Sequence, residues 1–353
     1  MRSELLHEFL EYLRDVKRFS ENTIRSYALD LEHFSEFLGA RSSGEAVDTG
    51  EATYFRAAGT AVTTETQATT TRLLLEVDTQ AIESFMDYLN AHDYSQSTKI
   101  RRLSTIRTFY KFLVNRKRLE YNPAAATKLP KKYRELPRVL DQEQIQRLLD
   151  MPNTSTLLGA RDRAILEILY CTGLRISELV ALDMDDIDFL SDAVHVKTAG
   201  RKERVVPIWS SGIQALQKYI TLRNKRAQTD PAFSNRILFV NKNGERLSSR
   251  SVRRKMDKYL IKAGLDPAIS PRTLRHSFAV NMLRSGSDIH TVRELLGHQS
   301  LSTTRAYKQV AGTSEQESHE EEGHNVSAEA DTLEEADIGE EPDVAEESDT
   351  LDE

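Results

Sequence analysis

Three side chains that can act on a phosphate group follow one another within residues 271–307. Arg275 has a planar guanidinium that can bind two phosphate oxygens and neutralise their charge. His298 can donate a hydrogen bond or help to transfer a proton near neutral pH. Tyr307 carries a hydroxyl that can act as a nucleophile. Together these residue types indicate a site that binds and cleaves a phosphodiester, so the elements that hold them decide whether they can meet.

The pattern around these residues predicts three consecutive helical segments. Pro271 suits the first turn of a helix, and apolar residues follow it at helical spacing. The Ser-Gly-Ser-Asp sequence at 285–288 ends that helix and caps the next, which ends at Gly297. A third short segment ends at Tyr307. Such a layout can turn all three side chains toward one point.

The charge of the chain is distributed unevenly. The 353 residues carry a formal net charge of −7. Residues 311–353 contain 18 acidic residues and no Lys or Arg, which leaves 37 acids and all 48 bases, a net charge of +11, in residues 1–310. A basic body with an acidic tail favours a polyanionic partner, nucleic acid first. Excess surface lysine on an ordinary soluble protein is the competing explanation, and charge alone does not decide between them.

Cysteine content and hydropathy indicate the cellular compartment in which the protein is expected. Cys171 is the only cysteine, which excludes disulfides within the chain and cysteine-rich zinc sites. No apolar run approaches the length of a membrane span, and the N-terminal residues form an amphipathic pattern rather than a signal peptide. We expect an intracellular protein of the cytoplasm, associated with the nucleoid, with no contact to a membrane.

The first part of the chain, residues 1–125, is predicted to be a helical domain. Apolar residues at helical spacing indicate helices over residues 3–17, from Ser20 to Leu38, around residues 82–89, and over 97–115. From about residue 40 to 72 the period is lost among Gly, Ser, Thr and Ala. We interpret that range as a flexible insertion within the domain.

The helix at 97–115 and the segment after it are rich in basic residues. Apolar positions account for one side of this helix, and we expect its bases on the outside, facing DNA phosphates. A linker at 126–136 then contains a basic sequence that can lie along a DNA backbone. A solvated charged face is the alternative for the helix. The predicted DNA-binding residues are Lys99, Arg101, Arg102, Arg107, Lys131 and Lys132.

Residues 137–310 are predicted to be a second, mixed but mostly helical domain. A Gly break at 173 places Arg175 at the start of a helix. Two strand-like runs, 193–197 and 204–208, are joined by a basic hairpin and predict a small antiparallel sheet. The fold class is therefore mainly α, with a helical N-terminal domain. Residues 311–353 are polar, acidic and aperiodic, so disorder is expected there.

Five separate sequence motifs resemble those of the tyrosine recombinase (integrase) family, and residues 1–310 as a whole look most like its Xer-type site-specific recombinases. LRHSFA, LGH and STT-x-x-Y at these spacings are the most specific part. The motifs are GLRISEL at 173–179, ERVVPI at 203–208, LRHSFA at 274–279, LLGHQSLSTTRAY at 295–307, and STKIRRLSTIRTFYKFL at 97–113.

The resemblance implies a reaction and its participants. Tyr307 is expected to form a covalent link to a DNA 3′ phosphate, which a partner's free 5′ hydroxyl then attacks. Arg175 and Arg275 are expected to bind the phosphate oxygens, and His298 to assist. No cofactor is required, because the phosphotyrosyl bond conserves the energy needed for rejoining. The expected partners are double-stranded DNA and further recombinase subunits, forming a homo- or hetero-tetramer on paired sites that resolves chromosome or plasmid dimers.

Two positions depart from the family pattern. Family members usually carry a general-acid Lys in the hairpin, where ungapped alignment places Ala199. Lys197 is favoured as the replacement over Lys202, which remains a phosphate-binding candidate. Arg272 stands where the family usually has a His. It keeps a positive donor for the phosphate but cannot exchange protons near neutral pH, so catalysis is expected to be slower or to depend on a partner subunit.

Several alternatives remain open. Taken singly, Arg175 fits a helix-terminal salt bridge with Glu178, Tyr307 a surface aromatic, and His298 a helix cap. The spacing of His276, His290 and His298 does not suit a metal site. A phage- or transposon-type integrase, or a catalytically weakened DNA-binding protein of recombinase descent, are the alternative functions. The acidic tail is interpreted as solubilising, with competition for the DNA-binding cleft as the other possibility.

Overall fold

The computed structural model describes residues 3–43, 64–128, 136–197 and 203–316, which form two compact units. The first contains the described residues up to 128, and the second those from 136 onward. The predicted fold class is confirmed, because the described chain is mainly helical with one small antiparallel sheet. No helix of these residues is both long enough and apolar enough to span a lipid bilayer.

The first unit is a bundle of five helices around an aromatic core. Asp78 and Ser95 cap the fourth and fifth helices, each accepting a hydrogen bond from a main-chain N–H of the first turn. The rings of Phe9, Phe34 and Phe109 are fully buried, and Phe9 meets Phe109 edge-on. The helices are α1 (Glu4–Asp15), α2 (Glu21–Ser43), α3 (Thr64–Leu75), α4 (Thr79–Ala91) and α5 (Gln96–Asn115).

The described ends of the predicted flexible insertion at 40–72 are helical, which corrects that expectation. Helix α2 continues to Ser43, and α3 begins at Thr64; residues 44–63 lie outside the described part of the chain. Leu74 of α3 is fully buried, and its carbonyl accepts a hydrogen bond of 3.0 Å from the hydroxyl of Tyr110. The threonine-rich sequence of α3 has weak helix propensity, so its packing against the bundle decides its conformation.

The expectation that the bases of α5 lie on the outside is wrong for Lys99 and Arg102. Both are only 8 % exposed. The ammonium of Lys99 donates to the side chain of Asn90 at 2.9 Å. Arg102 is 2.8 Å from Nδ1 of His33 and covers the ring of Tyr94. Hydrogen-bond partners on neighbouring elements make burial of these polar groups tolerable, and a helical period computed from apolar residues alone does not reveal such partners.

The other two predicted bases of α5 are partly buried and also paired. Arg101 forms an ion pair with Asp30, a buried carboxylate that also accepts a hydrogen bond of 2.9 Å from Thr105. Burial raises the pKa of Asp30, against the opposing effect of Arg101. Arg107 donates to the main-chain carbonyls of Ala124 and Thr127. The basic residues of α5 therefore hold the first unit together to a degree that the sequence did not indicate.

The second unit is organised around a buried helix, α7, which packs against α8, α9 and α11. Cys171 on α7 is fully buried, and burial raises the pKa of its thiol to about 12. The helices are α6 (Gln142–Leu149), α7 (Leu157–Thr172), α8 (Ile176–Ala181), α9 (Ser210–Ala227), α10 (Ser249–Ala263), α11 (Pro271–Arg284), α12 (Ile289–Leu296) and α13 (Leu301–Gln316).

A three-stranded antiparallel sheet lies between α8 and α9 in the chain. Its strands are β1 (Ile187–Asp188), β2 (Ala193–Val196) and β3 (Arg204–Pro207), in that spatial order. Val194 pairs with Val206 and both are fully buried. The two longer strands match the predicted strand runs. The short β1 follows a 3₁₀ turn at Met184–Asp186. Residues 198–202 of the hairpin lie outside the described part.

The helix that carries Tyr307 extends further than the sequence indicated. Helix α13 continues through Gly312 to Gln316, so the predicted tail boundary at 311 falls inside a helix. This is a correction for residues 311–316. Residues 317–353, with most of the acidic tail, lie outside the described chain.

Gly173 ends α7 in a tightly packed left-handed turn. Its φ is +62°, and a Cβ there would lie 2.4 Å from Cδ1 of Phe278 and 2.9 Å from Cδ2 of Leu296. Phe278 and Leu296 are both buried in the core that packs α11 against α12. Gly264, which ends α10, has the same φ of +62° but open space where a Cβ would lie. A comparison of the same substitution at both glycines therefore distinguishes the cost of backbone strain from the cost of crowding.

We expect Gly173→Ala to destabilise the second unit more than Gly264→Ala does. A Cβ in the left-handed region costs roughly 1–2 kcal/mol at either site, and crowding of the packed core adds about 1–3 kcal/mol at Gly173 only. Urea unfolding followed by the fluorescence of Trp209, the single tryptophan, measures the difference. Equal losses in the two variants would contradict this account of the Gly173 turn.

Candidate active site

Three helices of the second unit position the predicted reactive residues. Ser270 caps α11 through a capping box with Thr273, and Arg275 lies on the second turn of that helix. The side chain of Asp288 caps α12, which ends at Gly297 in the left-handed conformation at φ +64°. His298 follows that turn directly, and Tyr307 lies on α13, which packs against both α11 and α12. The three consecutive helical segments predicted from the sequence are therefore observed, and the third continues beyond Tyr307.

The ring of Tyr307 is buried between two histidines. Tyr307 is 3 % exposed, and its hydroxyl lies 2.8 Å from Nδ1 of His276. The ring of His298 stacks on the Tyr307 ring at 6.1 Å between centroids, with 21° between the planes. Nδ1 of His298 is 2.9 Å from Oγ1 of Thr304, one turn before Tyr307. The predicted His298 and Tyr307 are thus in direct contact.

Arg275 is a buried cation that binds main-chain carbonyls. It is 5 % exposed and donates to the carbonyl of Gly173 at 2.6 Å and to that of Leu296 at 2.7 Å. Burial lowers the pKa of Arg275 to about 9, and the positive charge of Arg175 contributes to the same shift. At neutral pH the guanidinium still carries its charge, in surroundings that would favour a nearby anion.

Arg175 reaches the same short stretch of backbone from another helix. It occupies the N-cap position of α8 and donates to the carbonyls of Leu296 at 3.4 Å and Gly297 at 3.3 Å. Leu296 thus accepts hydrogen bonds from both arginines, which brings together two residues a hundred positions apart in the chain. The end of α12 is the meeting point of the predicted site.

A buried carboxylate, Glu178, holds the arginines in place. Arg204 binds both oxygens of Glu178, at 3.0 and 2.8 Å, and Arg175 binds one of them at 3.1 Å. Arg204 also donates to the carbonyl of Leu295 at 2.8 Å. Burial opposes the ionisation of Glu178, but Arg204 and then Arg175 outweigh that effect and lower its pKa to about 2. The carboxylate is therefore negative throughout the physiological range.

The two histidines beside Tyr307 are neutral. Burial lowers the pKa of His298 to about 3, with further contributions from Arg275 and Arg175. Burial also lowers the pKa of His276 to about 4, helped by the positive charges of Arg272 and Arg275. At neutral pH each ring can therefore donate one hydrogen bond and accept another.

Two further predicted residues, Lys197 and Arg272, lie nearer the surface. The ammonium of Lys197, at the end of the β2 side of the hairpin, binds Asp186 at 2.9 Å, and its side chain is 63 % exposed. The hydrogen bond that Lys197 donates to the Asp186 carboxylate raises the pKa of Lys197. Arg272 is exposed on the first turn of α11. Ala199 and Lys202 lie outside the described residues.

The predicted DNA-binding residues belong to the first unit or lie outside the described chain. Lys99, Arg101, Arg102 and Arg107 are on α5, with the contacts given above. Lys131 and Lys132 are among residues 129–135, which are not described.

Sequence reasoning missed the roles of His276 and Arg204, and it gave Glu178 only as a salt-bridge partner of Arg175, a pair that the structure contains. His276 directly follows Arg275, but it was considered only as a metal ligand. Arg204 shares one face of β3 with the buried Val206, because alternate residues of a strand point the same way. That alternation could have indicated an inward-facing cation. Within the described residues, no group of three His, Cys, Asp or Glu side chains is placed to hold a metal ion.

Comparison with known proteins identifies the family. Residues 138–313 match the phage integrase family, and residues 6–74 and 60–117 match the phage integrase N-terminal SAM-like domain. The chain is 40 % identical to the tyrosine recombinase XerC of Myxococcus xanthus over 311 residues, which cover 87 % of this chain and 93 % of that protein. It is 36 % identical to the tyrosine recombinase XerC of Chlamydia muridarum over 324 residues, covering 91 % and 98 % of the two chains.

A solved structure shows the same fold. The crystal structure of the XerH site-specific recombinase bound to palindromic difH substrate, a post-cleavage complex, superposes with a TM-score of 0.63 at 21 % identity. The match covers 89 % of this chain and 82 % of that one. With relatives 36–40 % identical over 87–91 % of its length, the chain belongs to the tyrosine recombinase (phage integrase) family and is a site-specific recombinase of the Xer type.

Proposed function

We propose that this recombinase cleaves double-stranded DNA by attack of the Tyr307 hydroxyl on a phosphodiester, forming a 3′-phosphotyrosyl link. A free 5′ hydroxyl from a partner strand then attacks that link and releases Tyr307. The observation that supports this most strongly is the meeting of Arg175, Arg275 and the His298–Tyr307 pair at the end of α12. These four residues, predicted from three separate motifs, lie around one short stretch of backbone.

The two arginines provide the binding site for the phosphate. Arg175 and Arg275 each have a planar group with several donors, which suits two non-bridging phosphate oxygens. In the structure their nearest acceptors at the end of α12 are neutral carbonyls, and one carboxylate, Glu178, balances Arg175. Charge that accumulates on the phosphate in the transition state would gain from both cations, and such preorganised donors are a large source of catalysis.

The acid that protonates the leaving 5′ oxygen is Lys197 or Lys202, and we retain Lys197 as the first candidate. Its ion pair with Asp186 keeps the ammonium protonated, as a general acid requires before it acts. To reach the leaving oxygen, Lys197 has to exchange Asp186 for the substrate. Arg272 is proposed to bind the phosphate from the first turn of α11.

Double-stranded DNA is the proposed partner, and the assembly is a tetramer of like or unlike recombinase subunits on two paired sites. The XerH structure with difH and a λ integrase dimer bound to a core site show relatives of this fold on DNA. Resolution of chromosome or plasmid dimers is the proposed role, in keeping with the XerC relatives. The proposed DNA contacts are Lys99, Arg101, Arg102, Arg107, Lys131 and Lys132. Lys99 and Arg102 are buried and Arg101 and Arg107 are partly buried, so these four have to rearrange or contribute from those positions.

The covalent intermediate gives the first test. Incubation with a nicked suicide substrate, which loses its 5′ fragment after cleavage, should trap a protein–DNA adduct that is visible on a denaturing gel. Tyr307→Phe should abolish the adduct, because a phenyl ring has no nucleophile. Tyr219→Phe is the matched control, since Tyr219 is also a buried tyrosine of the second unit but bonds only to the Leu238 carbonyl and the Val240 amide. An adduct in Tyr307→Phe would refute the proposed nucleophile.

The general acid can be identified with a modified leaving group. A substrate with sulfur in place of the 5′ bridging oxygen releases a thiolate, which leaves without a proton because thiols are far more acidic than alcohols. Lys197→Ala should slow cleavage of the ordinary substrate by about 10²- to 10⁴-fold. The same variant should cleave the sulfur substrate at a near-normal rate.

Lys202→Ala is the paired variant for that experiment. If Lys197 is the acid, Lys202→Ala should weaken DNA binding slightly and show no selective rescue by sulfur. The reverse pattern would transfer the role to Lys202. Equal loss on both substrates for both variants would exclude each lysine as the acid.

A further inference from the structure

Among the described residues, His276 is a hydrogen-bond partner of the proposed nucleophile that can take its proton. Nδ1 of His276 lies 2.8 Å from Oη of Tyr307, and the two ring centroids are 5.3 Å apart. This distance between the nitrogen and the oxygen is within the range in which a general base can remove the hydroxyl proton. His298 also contacts Tyr307, but by ring stacking, and its Nδ1 is bonded to Thr304 instead.

The surroundings of His276 keep its imidazole neutral, so that it can accept a proton. The ring is partly buried on α11, with Arg272 one turn before it and Arg275 next to it. Burial and then these two cations lower its pKa to about 4, so the imidazole is neutral at pH 7. In the tautomer with hydrogen on Nε2, Nδ1 has a free lone pair and Tyr307 is the donor.

We propose that His276 is the general base of strand cleavage, an inference that rests on the proposed attack by Tyr307. In cleavage the Tyr307 O–H bond breaks, its oxygen bonds to phosphorus, and the proton moves to Nδ1 of His276. The 5′ oxygen leaves and takes a proton from the lysine acid. In rejoining, the 5′ hydroxyl returns its proton to the lysine as its oxygen bonds to phosphorus, and the departing Tyr307 oxygen recovers the proton from His276.

A neutral imidazole is strong enough for this step. The proton of an attacking hydroxyl becomes far more acidic as its oxygen bonds to phosphorus, so the transfer is favourable late in the attack. The incoming phosphate is negative and offsets the cations that depress the basicity of His276. Arg272 cannot accept a proton. Arg272 and His276, four positions apart on α11, therefore have separate roles. Arg272 stabilises the negative charge of the phosphate, and His276 accepts the proton.

The first experiment compares three variants of the full chain in single-turnover cleavage of the nicked substrate. His276→Ala should slow adduct formation by about 10²- to 10⁴-fold, while DNA affinity changes little. His276→Asn can still hydrogen-bond to Tyr307 but is not basic, and it should be nearly as slow. His290→Ala replaces an exposed histidine of α12 and should cleave at the normal rate. Thermal unfolding of each variant establishes that it is folded.

The pH dependence separates a base from a structural contact. Above pH 6 the wild-type rate should be nearly independent of pH as far as His276 is concerned, because its imidazole is already neutral. Without the base the attack depends on hydroxide or on the ionised phenol, so both His276 variants should gain about tenfold in rate per pH unit. Added imidazole should restore cleavage in His276→Ala. The sulfur substrate should not restore cleavage in this variant, because it removes the need for the general acid and not for the general base.

Each outcome decides between the two proposals. If Tyr307→Phe is inactive while His276→Ala cleaves normally, the inference about His276 fails and the proposed function stands. Normal cleavage by His276→Asn would reduce His276 to a hydrogen-bonding residue. Rescue of His276→Ala by the sulfur substrate would make it an acid. An adduct in Tyr307→Phe would overturn the proposed function itself.

Discussion

The rest of the site depends on the ion pairs that the buried carboxylate of Glu178 makes with arginines. Two arginines bind it, and Arg275 carries a third positive charge close by, yet all are largely removed from water. Without a negative partner, cations in such surroundings repel each other and favour solvent. One buried acid therefore makes it possible to keep a positively charged pocket assembled before any DNA is bound.

The same carboxylate connects elements that are distant in sequence. Arg175 comes from the start of α8, Arg204 from the start of β3, and both donate to carbonyls at the end of α12. The left-handed turn at Gly297 brings the backbone within reach, since a Cβ there would lie 3.1 Å from the guanidinium of Arg204. The strand that follows the lysine-bearing hairpin is thus tied to the turn that positions His298.

The sequence indicated the mainly helical fold, most helix bounds and the four residues Arg175, Arg275, His298 and Tyr307. These follow from local patterns and from motifs with fixed spacing. The burial of Lys99 and Arg102 could not be predicted, because it depends on polar partners from other elements, such as Asn90 and His33. Helix α3 was missed because tertiary packing, rather than propensity or period, stabilises it. Glu178 and Arg204 were visible as charges, but only the folded structure shows that they bind each other.

Cys171 gives this enzyme an internal reporter of its own integrity. It is the only thiol in the chain, fully buried near the end of α7, two residues before the Gly173 turn that leads to Arg175. A buried thiol with a raised pKa reacts slowly with alkylating reagents. Labelling of this sulfur therefore measures how often the end of α7 opens, with no engineered probe and in the presence or absence of DNA.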